Sequence, residues 1–250
     1  MPRYFIEVAY KGTHYSGSQI QENAITIQFE VEKAMRTLFK QSIALTGSSR
    51  TDTGVHALQN FFHFDTDLAV TNKQLYNINA LLPKDIAAKN LFVVKDDAHC
   101  RFLASGREYK YFIYRQKDPF LIDRAWFYPY NLNMDLLQTA ANVLLEYQDF
   151  TSFSKRSTQT KTFICEIQFS NWSIVQDCLM YHVKGNRFLR GMVRGMVGTM
   201  LKVGRELISI DQFRQIIEAK DCTRADFTTP PQGLFLTAVL YPAGILTNKL

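Results

Sequence analysis

The amino-acid sequence predicts an α+β fold in two halves, one over residues 1–115 and one over 116–250. Short segments alternate apolar and polar residues, as half-buried strands do, and other segments repeat apolar residues every three or four positions, as amphipathic helices do. A strand, helix, strand order occurs in each half, and the boundary falls between 115 and 131. This order is compatible with ferredoxin-like halves, although no sequence repeat is visible.

The composition is that of a folded, basic protein. At 250 residues with 46% hydrophobic content, the chain can bury a large core. No run approaches the roughly 18 to 20 apolar residues of a membrane span, and the N-terminus lacks the apolar region of a signal peptide, so we expect a cytoplasmic protein. A net charge of +6 together with 12 Tyr and 19 Phe suits nucleic acid, since cations bind phosphates and rings stack on bases.

The four cysteines show neither a C-x-x-C pair nor a nearby histidine in ligand spacing. We therefore expect reduced thiols, with no zinc site and no disulfide framework. The residues are Cys100, Cys165, Cys178 and Cys222.

In the first half, period-two alternation predicts a strand over 3–10, and apolar residues three and four apart predict a helix over 26–39 with Thr26 as its N-cap. The same two patterns predict a strand over 60–64, a helix over 73–82 that Pro83 ends, and strands over 90–95 and 109–115.

In the second half, apolar spacing predicts a helix that Asn133 caps. The predicted elements are a helix over 133–147, a polar connection over 149–161, a hairpin of strands 162–169 and 172–184 joined by a turn at Ser170 and Asn171, a helix over 211–220 and a strand over 233–241.

Residues 46–59, TGSSRTDTGVHALQ, form the first candidate functional segment. Two glycines and several short polar side chains predict a loop, because glycine allows positive φ and short polar groups bond to their own backbone. Arg50 and Asp52 would place a cation and a carboxylate together, as an active site does. A solvated turn with one salt bridge is the alternative interpretation.

Residues 184–205, KGNRFLRGMVRGMVGTMLKVGR, form the second candidate. Apolar residues at helical spacing predict a buried stripe, and the cations predict a row on another face of one helix. The absence of acids favours phosphate contacts over a solvated basic face. The glycines imply that another group approaches the helix closely. The apolar residues are Phe188, Met192, Met196 and Met200, with Leu189, Val193, Val197 and Leu201 alongside; the cations of the row are Arg187, Arg190, Arg194 and Lys202; the glycines are Gly191, Gly195 and Gly198.

These segments resemble those of a known family. GSSRTDTGVHA at 47–57 is similar to the G-x-G-R-T-D-A-G-V-H-A signature of TruA-type tRNA pseudouridine synthases, in which the Asp is the catalytic carboxylate. Further matches cover nearly the whole chain in family order: Y-x-G-x-Q-x-Q at 15–21, NALLPKDI at 79–86, RFLASGREYKY at 101–111, DFTSF at 149–153, GNRFLRGMVRGMVG at 185–198 and GLFL at 233–236.

The resemblance implies two α+β halves that share a mixed, mainly antiparallel sheet, with the active-site cleft between them, and a homodimer that presents a basic surface to tRNA. It also implies isomerisation of uridine to pseudouridine at positions 38 to 40 of the anticodon stem-loop, without a metal or redox cofactor. An aspartate is ionised at neutral pH and can act without a separate base.

Residue roles follow from the resemblance position by position. Asp52 would be the catalytic carboxylate, Tyr109 the ring against the uracil, and Arg194 the ion-pair partner of Asp52. Arg50 would help to hold the flipped nucleotide, and Leu234 would form an apolar wall. The cations Lys184, Arg187 and Arg190 would contact tRNA.

The chain departs from the family pattern at Ser18, Ser49 and Thr53. A serine at 49 would be strained if that position needs positive φ. The alternatives are a tRNA-binding or chaperone paralogue with altered catalysis, and a synthase that acts on other RNA uridines. An Asp-dependent glycosidase is disfavoured because the segment has no carboxylate pair.

Overall fold

The computed structural model describes residues 1–156 and 160–250, so part of the predicted polar connection, 157–159, lies outside the described residues. The fold is mixed, with mostly antiparallel strands and, in the described ranges, five α-helices. Two compact units are present: unit 1 combines Met1–Gly106 with Phe235–Leu250, and unit 2 spans Arg107–Leu234. The predicted halves, 1–115 and 116–250, divide the chain by element order and stay a prediction. No helix in the described ranges is long and apolar enough to span a bilayer.

In chain order, the elements are β1 (Arg3–Tyr10), α1 (Ile27–Phe39), β2 (Thr46–Gly47), β3 (His56–Asp65), α2 (Asn72–Leu81), β4 (Ile86–Val94), β5 (Gly106–Tyr114), β6 (Trp126–Phe127), α3 (Met134–Val143), β7 (Ile167–Val175), β8 (Cys178–Gly185), α4 (Met192–Gly204), α5 (Ile210–Glu218), β9 (Leu234–Leu240) and β10 (Asn248–Lys249). Short 3₁₀ turns lie at Leu144–Glu146, Thr151–Phe153 and Pro231–Gly233.

The sheet of unit 1 has the strand order β10, β4, β1, β3, β9, and β2 pairs with β3. The central strand β1 is antiparallel to both neighbours, so that Phe5 lies opposite His63 on β3 and Phe92 on β4. β9 runs parallel to β3, where Phe235 pairs with His56. Alternate residues of β1, from Tyr4 to Tyr10, are buried on one face, and Phe5 is buried on the other face as well.

Caps start the helices of unit 1. Thr26 accepts a hydrogen bond from the N–H of Phe29, which confirms the predicted N-cap of α1. Thr71 and Gln74 form a capping box at α2. The predicted strand 60–64 is confirmed as part of the longer β3, and the predicted strand 90–95 overlaps β4, which begins four residues earlier and ends at Val94.

The sheet of unit 2 has the order β5, β8, β7, all antiparallel, with β6 parallel to β5. Tyr111 and Tyr181, which pair across β5 and β8, are fully buried at its centre. Asn133 caps α3, as predicted, and accepts from the N–H groups of Asp135 and Leu136. Ser209 caps α5.

The predicted hairpin exists, but its predicted turn is wrong. Ser170 lies within β7, where its buried hydroxyl is 2.8 Å from the hydroxyl of Tyr181. The chain turns instead at Gln176 and Asp177, which have φ of 48° and 63°. A tight hairpin turn of this kind requires positive φ at both central residues. The polar pair 170–171 therefore stays in the strand, because its serine has a partner there.

The predicted row of cations on one helix is also wrong. Gly191 has φ of +75°, a left-handed conformation that cannot continue a helix, and α4 begins only at Met192. Consequently Arg187 and Arg190 precede the helix, whereas Lys184 lies in β8, within the strand predicted over 172–184. The apolar stripe of α4 is confirmed, since its methionines and their neighbours are buried.

The predicted close approach at the glycines of α4 is confirmed, and the approaching group belongs to unit 2 itself. A Cβ at Gly198 would lie 2.4 Å from the carbonyl oxygen of Asp226, and a Cβ at Gly195 would lie 2.8 Å from the ring of Phe227. Real Cβ atoms do not come so near to other atoms. Glycine therefore lets the segment 226–229 pack directly on the helix backbone.

Candidate active site

The loop between β2 and β3 carries Asp52, and buried polar groups of unit 1 fix its first residues. The hydroxyl of Ser48 donates to Asn60 Oδ1 at 2.9 Å, and the Ser48 N–H donates to the carbonyl of Phe61 at 2.7 Å. The amide nitrogen of Asn60 donates to the Ser49 carbonyl at 3.1 Å. Because Asn60 sits in the sheet, it ties this end of the loop to a rigid element.

A second set of contacts holds the residue before Asp52. The Tyr10 hydroxyl lies 2.9 Å from Thr51 Oγ1 and accepts from Asn60 Nδ2 at 3.1 Å. Burial raises the pKa of Tyr10, and the hydrogen bonds from Thr51 and Asn60 only partly oppose that effect. The phenol is therefore neutral at physiological pH and remains a hydrogen-bonding group rather than a base.

The segment after β1 fixes Thr51 from the other side. Ser18 Oγ accepts from the N–H of Thr51 at 2.9 Å, and the N–H of Ser18 donates to the Thr51 carbonyl at 3.1 Å. Gly17 has φ of +90°, and a Cβ there would lie 2.7 Å from the Thr51 oxygen. Ser18, one of the departures from the family pattern, is thus a structural support of the loop.

Two further motif segments meet next to the loop. The hydroxyl of Tyr15 donates to Asp85 Oδ1 at 2.6 Å, and the Tyr15 carbonyl accepts from the N–H of Gly54 at 3.4 Å. Burial and then the carboxylate of Asp85 raise the pKa of Tyr15, so the phenol stays protonated and keeps this bond. The segments 15–21 and 79–86 therefore support the same loop.

The side chains of Arg50 and Asp52 have no polar partner among the residues described in unit 1. Arg50 is exposed and Asp52 half-buried. Among the described residues of unit 1, neither side chain has a hydrogen bond or an ion pair, so the alternative of a turn closed by an Arg50–Asp52 salt bridge is not found. Ser49 and Thr53 do not have positive φ, which in this loop occurs at Gly54. The departures at 49 and 53 therefore cause no backbone strain.

In unit 2, Tyr109 projects from β5, opposite Val183 of β8. Its ring is largely buried and meets the ring of Phe188 edge to face, with centroids 5.0 Å apart. Phe188 is half-buried and lies outside α4, so it is not part of the apolar helix stripe to which the sequence pattern assigned it. In the sequence, the position of Phe188 between Arg187 and Arg190 was the signal that could have indicated a second aromatic ring at the site.

Arg194 lies near the start of α4 and is anchored through one nitrogen. Its Nε donates to the carbonyl of Thr229 at 2.6 Å, and the Thr229 hydroxyl donates to the Arg194 carbonyl at 3.0 Å. Thr229 is fully buried, so the anchor is rigid. Burial raises the pKa of the nearby Tyr111, and the positive charge of Arg194 acts in the opposite direction.

The remaining predicted site residues also belong to unit 2. Leu234 is buried directly after the 3₁₀ turn Pro231–Gly233. Lys184 and Arg187 are half-buried, whereas Arg190 is exposed and its carbonyl accepts from the N–H of Lys155 at 3.0 Å. Arg50 and Asp52 are thus carried by unit 1, and the other predicted site residues by unit 2.

No disulfide joins the described cysteines, which are thiols as predicted. One cysteine nevertheless has a histidine nearby in the fold. Cys100 Sγ lies 3.2 Å from Nδ1 of His63, which the fold of unit 1 brings back from another strand. Sequence spacing cannot reveal such a pair.

Unit 1 presents the Asp52 carboxylate on a braced loop with no partner among the described residues of that unit, and unit 2 carries a packed pair of aromatic rings and an anchored arginine. Side chains of these kinds are typical of enzymes that act on nucleotides. Residues 140–242 match the family model described as tRNA pseudouridine synthase. The chain is 43% identical to the tRNA pseudouridine synthase A of Bacteroides fragilis, covering 97% of this chain and 98% of the relative. It is 41% identical to that of Azobacteroides pseudotrichonymphae, covering 99% and 100%, and 36% identical to that of Staphylococcus aureus, covering 95% and 91%. The chain therefore belongs to the tRNA pseudouridine synthase family.

Proposed function

We propose that this protein converts uridine to pseudouridine in the anticodon stem-loop of tRNA, at positions 38 to 40. The observation that carries the proposal is the placement of Asp52. Its loop is braced from three sides by buried hydrogen bonds, while its carboxylate has no partner within unit 1. Full-length similarity to enzymes named for this reaction supports the substrate class.

The reaction breaks the bond between ribose C1′ and uracil N1, turns the base and joins C1′ to C5. The proton on C5 is lost, and N1 ends with a proton, so the product is an isomer of the substrate. We propose Asp52 as the catalytic carboxylate, which is ionised and needs no separate base to activate it.

We propose that Tyr109 holds the detached uracil by its ring face, because stacking restrains a base while it turns in its own plane. The edge-to-face contact with Phe188 supports this role, since it fixes the ring. Arg194 would supply the positive charge that keeps the catalytic carboxylate ionised. Arg50 would hold the extruded nucleotide, and Leu234 would provide an apolar wall.

We further propose that Lys184, Arg187 and Arg190 contact tRNA phosphates, that the protein acts as a cytoplasmic homodimer, and that its halves are related ferredoxin-like folds. The net charge of +6 and the exposure of Arg190 support the phosphate contacts. Base extrusion costs a few kcal/mol, which such contacts offset.

The test compares the wild type with Asp52→Asn on unmodified tRNA, with pseudouridine mapped along the chain. We expect the variant to lose product formation by at least about a thousandfold while tRNA affinity stays nearly unchanged. Asp67→Asn, which alters an exposed carboxylate of the same unit, is the matched control and should retain activity.

Product formation by Asp52→Asn at the wild-type rate would contradict the role of Asp52. Binding of tRNA by the wild type without any product would favour the tRNA-binding or chaperone alternative. Product only outside positions 38 to 40 would contradict the site assignment, and release of free uracil would indicate a glycosidase.

A further inference from the structure

Unit 1 contains a cluster of three metal-ligating side chains, His63, His99 and Cys100, apart from the loop that carries Asp52. One ligand atom from each lies within 4.8 Å of those of the other two. Nδ1 of His63 is 3.2 Å from Cys100 Sγ, and the rings of His63 and His99 pack edge to face with centroids 4.6 Å apart. His63 and Cys100 are buried, whereas His99 is half-buried and gives access from solvent.

The elements around the cluster hold it in place. His63 lies near the C-terminal end of β3, opposite Phe5 of β1 and Thr46 of β2. His99 and Cys100 lie in a turn that closes when the N–H of Leu103 donates to the His99 carbonyl at 3.0 Å. The hydroxyl of Tyr241 donates to the Cys100 carbonyl at 2.6 Å, so the turn is fixed against β9 as well.

The donor set and its spacing suit a tetrahedral metal ion. Zinc binds Cys sulfur at about 2.3 Å and His nitrogen at about 2.0 to 2.1 Å, so tetrahedral ligand atoms lie roughly 3.3 to 3.6 Å apart. The observed distance between Nδ1 of His63 and Sγ of Cys100 is already 3.2 Å. All three ligand atoms lie within 4.8 Å of one another, so small side-chain movements would bring them to these separations.

We propose that His63, His99 and Cys100 bind one divalent transition-metal ion, preferentially zinc, with a fourth position open to water. The Cys100 thiol, which donates to the Thr46 carbonyl at 3.0 Å, would release its proton to solvent, and a metal–sulfur bond would replace that hydrogen bond. Two imidazoles and one thiolate are ligands that favour zinc over magnesium or calcium.

Burial affects both histidines of the cluster. It lowers the pKa of His63 to about 4, and it also lowers the pKa of His99. The guanidinium of Arg3 acts in the same direction on both histidines. Its own charge is balanced by Asp65, whose Oδ1 lies 2.7 Å from Nε.

The site would have a structural effect on the catalytic loop. Thr46, whose carbonyl accepts from Cys100, is the first residue of β2, and the loop with Asp52 follows directly. A metal ion would join the turn at 98–103 to β3, which pairs with β2. The inference does not depend on the proposed reaction, because its readouts are metal binding and stability.

The test is a Co²⁺ titration of the full-length protein after treatment with a chelator. We expect one equivalent of Co²⁺ to produce the visible bands of tetrahedral coordination and a thiolate-to-cobalt charge-transfer band, and Zn²⁺ to displace both. Cys100→Ser should lose the charge-transfer band. His99→Ala should weaken Co²⁺ binding by more than about 100-fold, the upper figure for partners outside the ligand shell.

Matched controls change a thiol or an imidazole outside the cluster. Cys222→Ser alters a half-exposed thiol and His14→Ala an exposed histidine, and both should keep the wild-type spectrum. Absence of tetrahedral bands in the wild type, or a charge-transfer band that persists in Cys100→Ser, would overturn the proposal. If Cys100→Ser does not fold by circular dichroism, unchanged Co²⁺ affinity in His99→Ala overturns it instead.

Discussion

Ser18 and Thr51 exchange two hydrogen bonds: the N–H of Thr51 donates to Ser18 Oγ at 2.9 Å, and the N–H of Ser18 donates to the Thr51 carbonyl at 3.1 Å. Asp52 is the next residue along the chain. The backbone that carries the proposed catalytic carboxylate is therefore set by a residue far outside its own loop. Ser18 is a positioning residue, since its hydroxyl is buried against the loop.

Ser18→Ala should slow catalysis more than it weakens substrate binding. The change leaves the buried N–H of Thr51 without its acceptor, which costs about 1 to 3 kcal/mol, and it lets Asp52 move. We expect kcat for pseudouridine formation to fall about tenfold with KM nearly constant, as when an interaction made mainly in the transition state is lost. Ser42→Ala, at an exposed serine of the same unit, is the control. A tenfold rise in KM with unchanged kcat would show instead that Ser18 acts on substrate binding.

Gly198→Ala should destabilise the protein more than Gly195→Ala. Alanine gains about 1 kcal/mol over glycine in a helix interior, but at 198 its Cβ would lie 2.4 Å from a backbone oxygen, which cannot move alone. Overpacking of this kind costs about 1 to 3 kcal/mol or more. At 195 the obstacle is the ring of Phe227, a side chain that can rotate. Urea unfolding measures both losses, and equal or reversed losses would contradict the backbone contact.

Asp226 should make the free energy of unfolding depend on pH under acidic conditions. Burial opposes its ionisation, but hydrogen bonds from Thr228 and the charge of Lys202, 3.3 Å away, outweigh burial and hold the pKa below the usual 3.8. The resulting stabilisation is complete above the unfolded value of 3.8 and is lost as pH falls through the lower, folded value.

Asp226→Asn should therefore unfold more easily than the wild type near neutral pH, and the difference should shrink below pH 3.8. Urea unfolding across this range gives the measurement. Asp211→Asn, at an exposed position in the first turn of α5, should leave the acid dependence of the wild type intact. A constant difference at every pH would mean that Asp226 stabilises through packing alone.

Arg190→Ala should reduce the salt dependence of tRNA binding. If Arg190 contacts one phosphate, its loss should lower the slope of log affinity against log salt by about 1 and weaken binding to all tRNA sequences alike. Lys33→Ala removes an exposed cation that pairs with Glu30 on α1, and it is the control. A slope unchanged by Arg190→Ala would remove this arginine from the tRNA contacts.

Local patterns in the sequence were sufficient for most helices and strands. Thr26 and Asn133 were recognisable as caps because a short polar side chain precedes an apolar stripe, and both caps are present. The loop at 46–59 was recognisable from its glycines and short polar residues, although its first two residues form β2 and its last four belong to the start of β3. The apolar stripe of α4 was equally clear from the sequence, but the first residue of the helix was not. Only the left-handed conformation of Gly191 separates Arg187 and Arg190 from the helix.

The sequence by itself determined most of the secondary structure, the polar loop around Asp52 and the resemblance to the family, because each depends on residues that are close along the chain. Only the tertiary structure decided that Ser18 supports Thr51, that Asp226 and Phe227 pack on the glycines of α4, and that His63 meets Cys100. These contacts join residues that are distant in sequence. Their pairing depends on strand register and close packing, and neither produces a periodic pattern in the local sequence that could predict it.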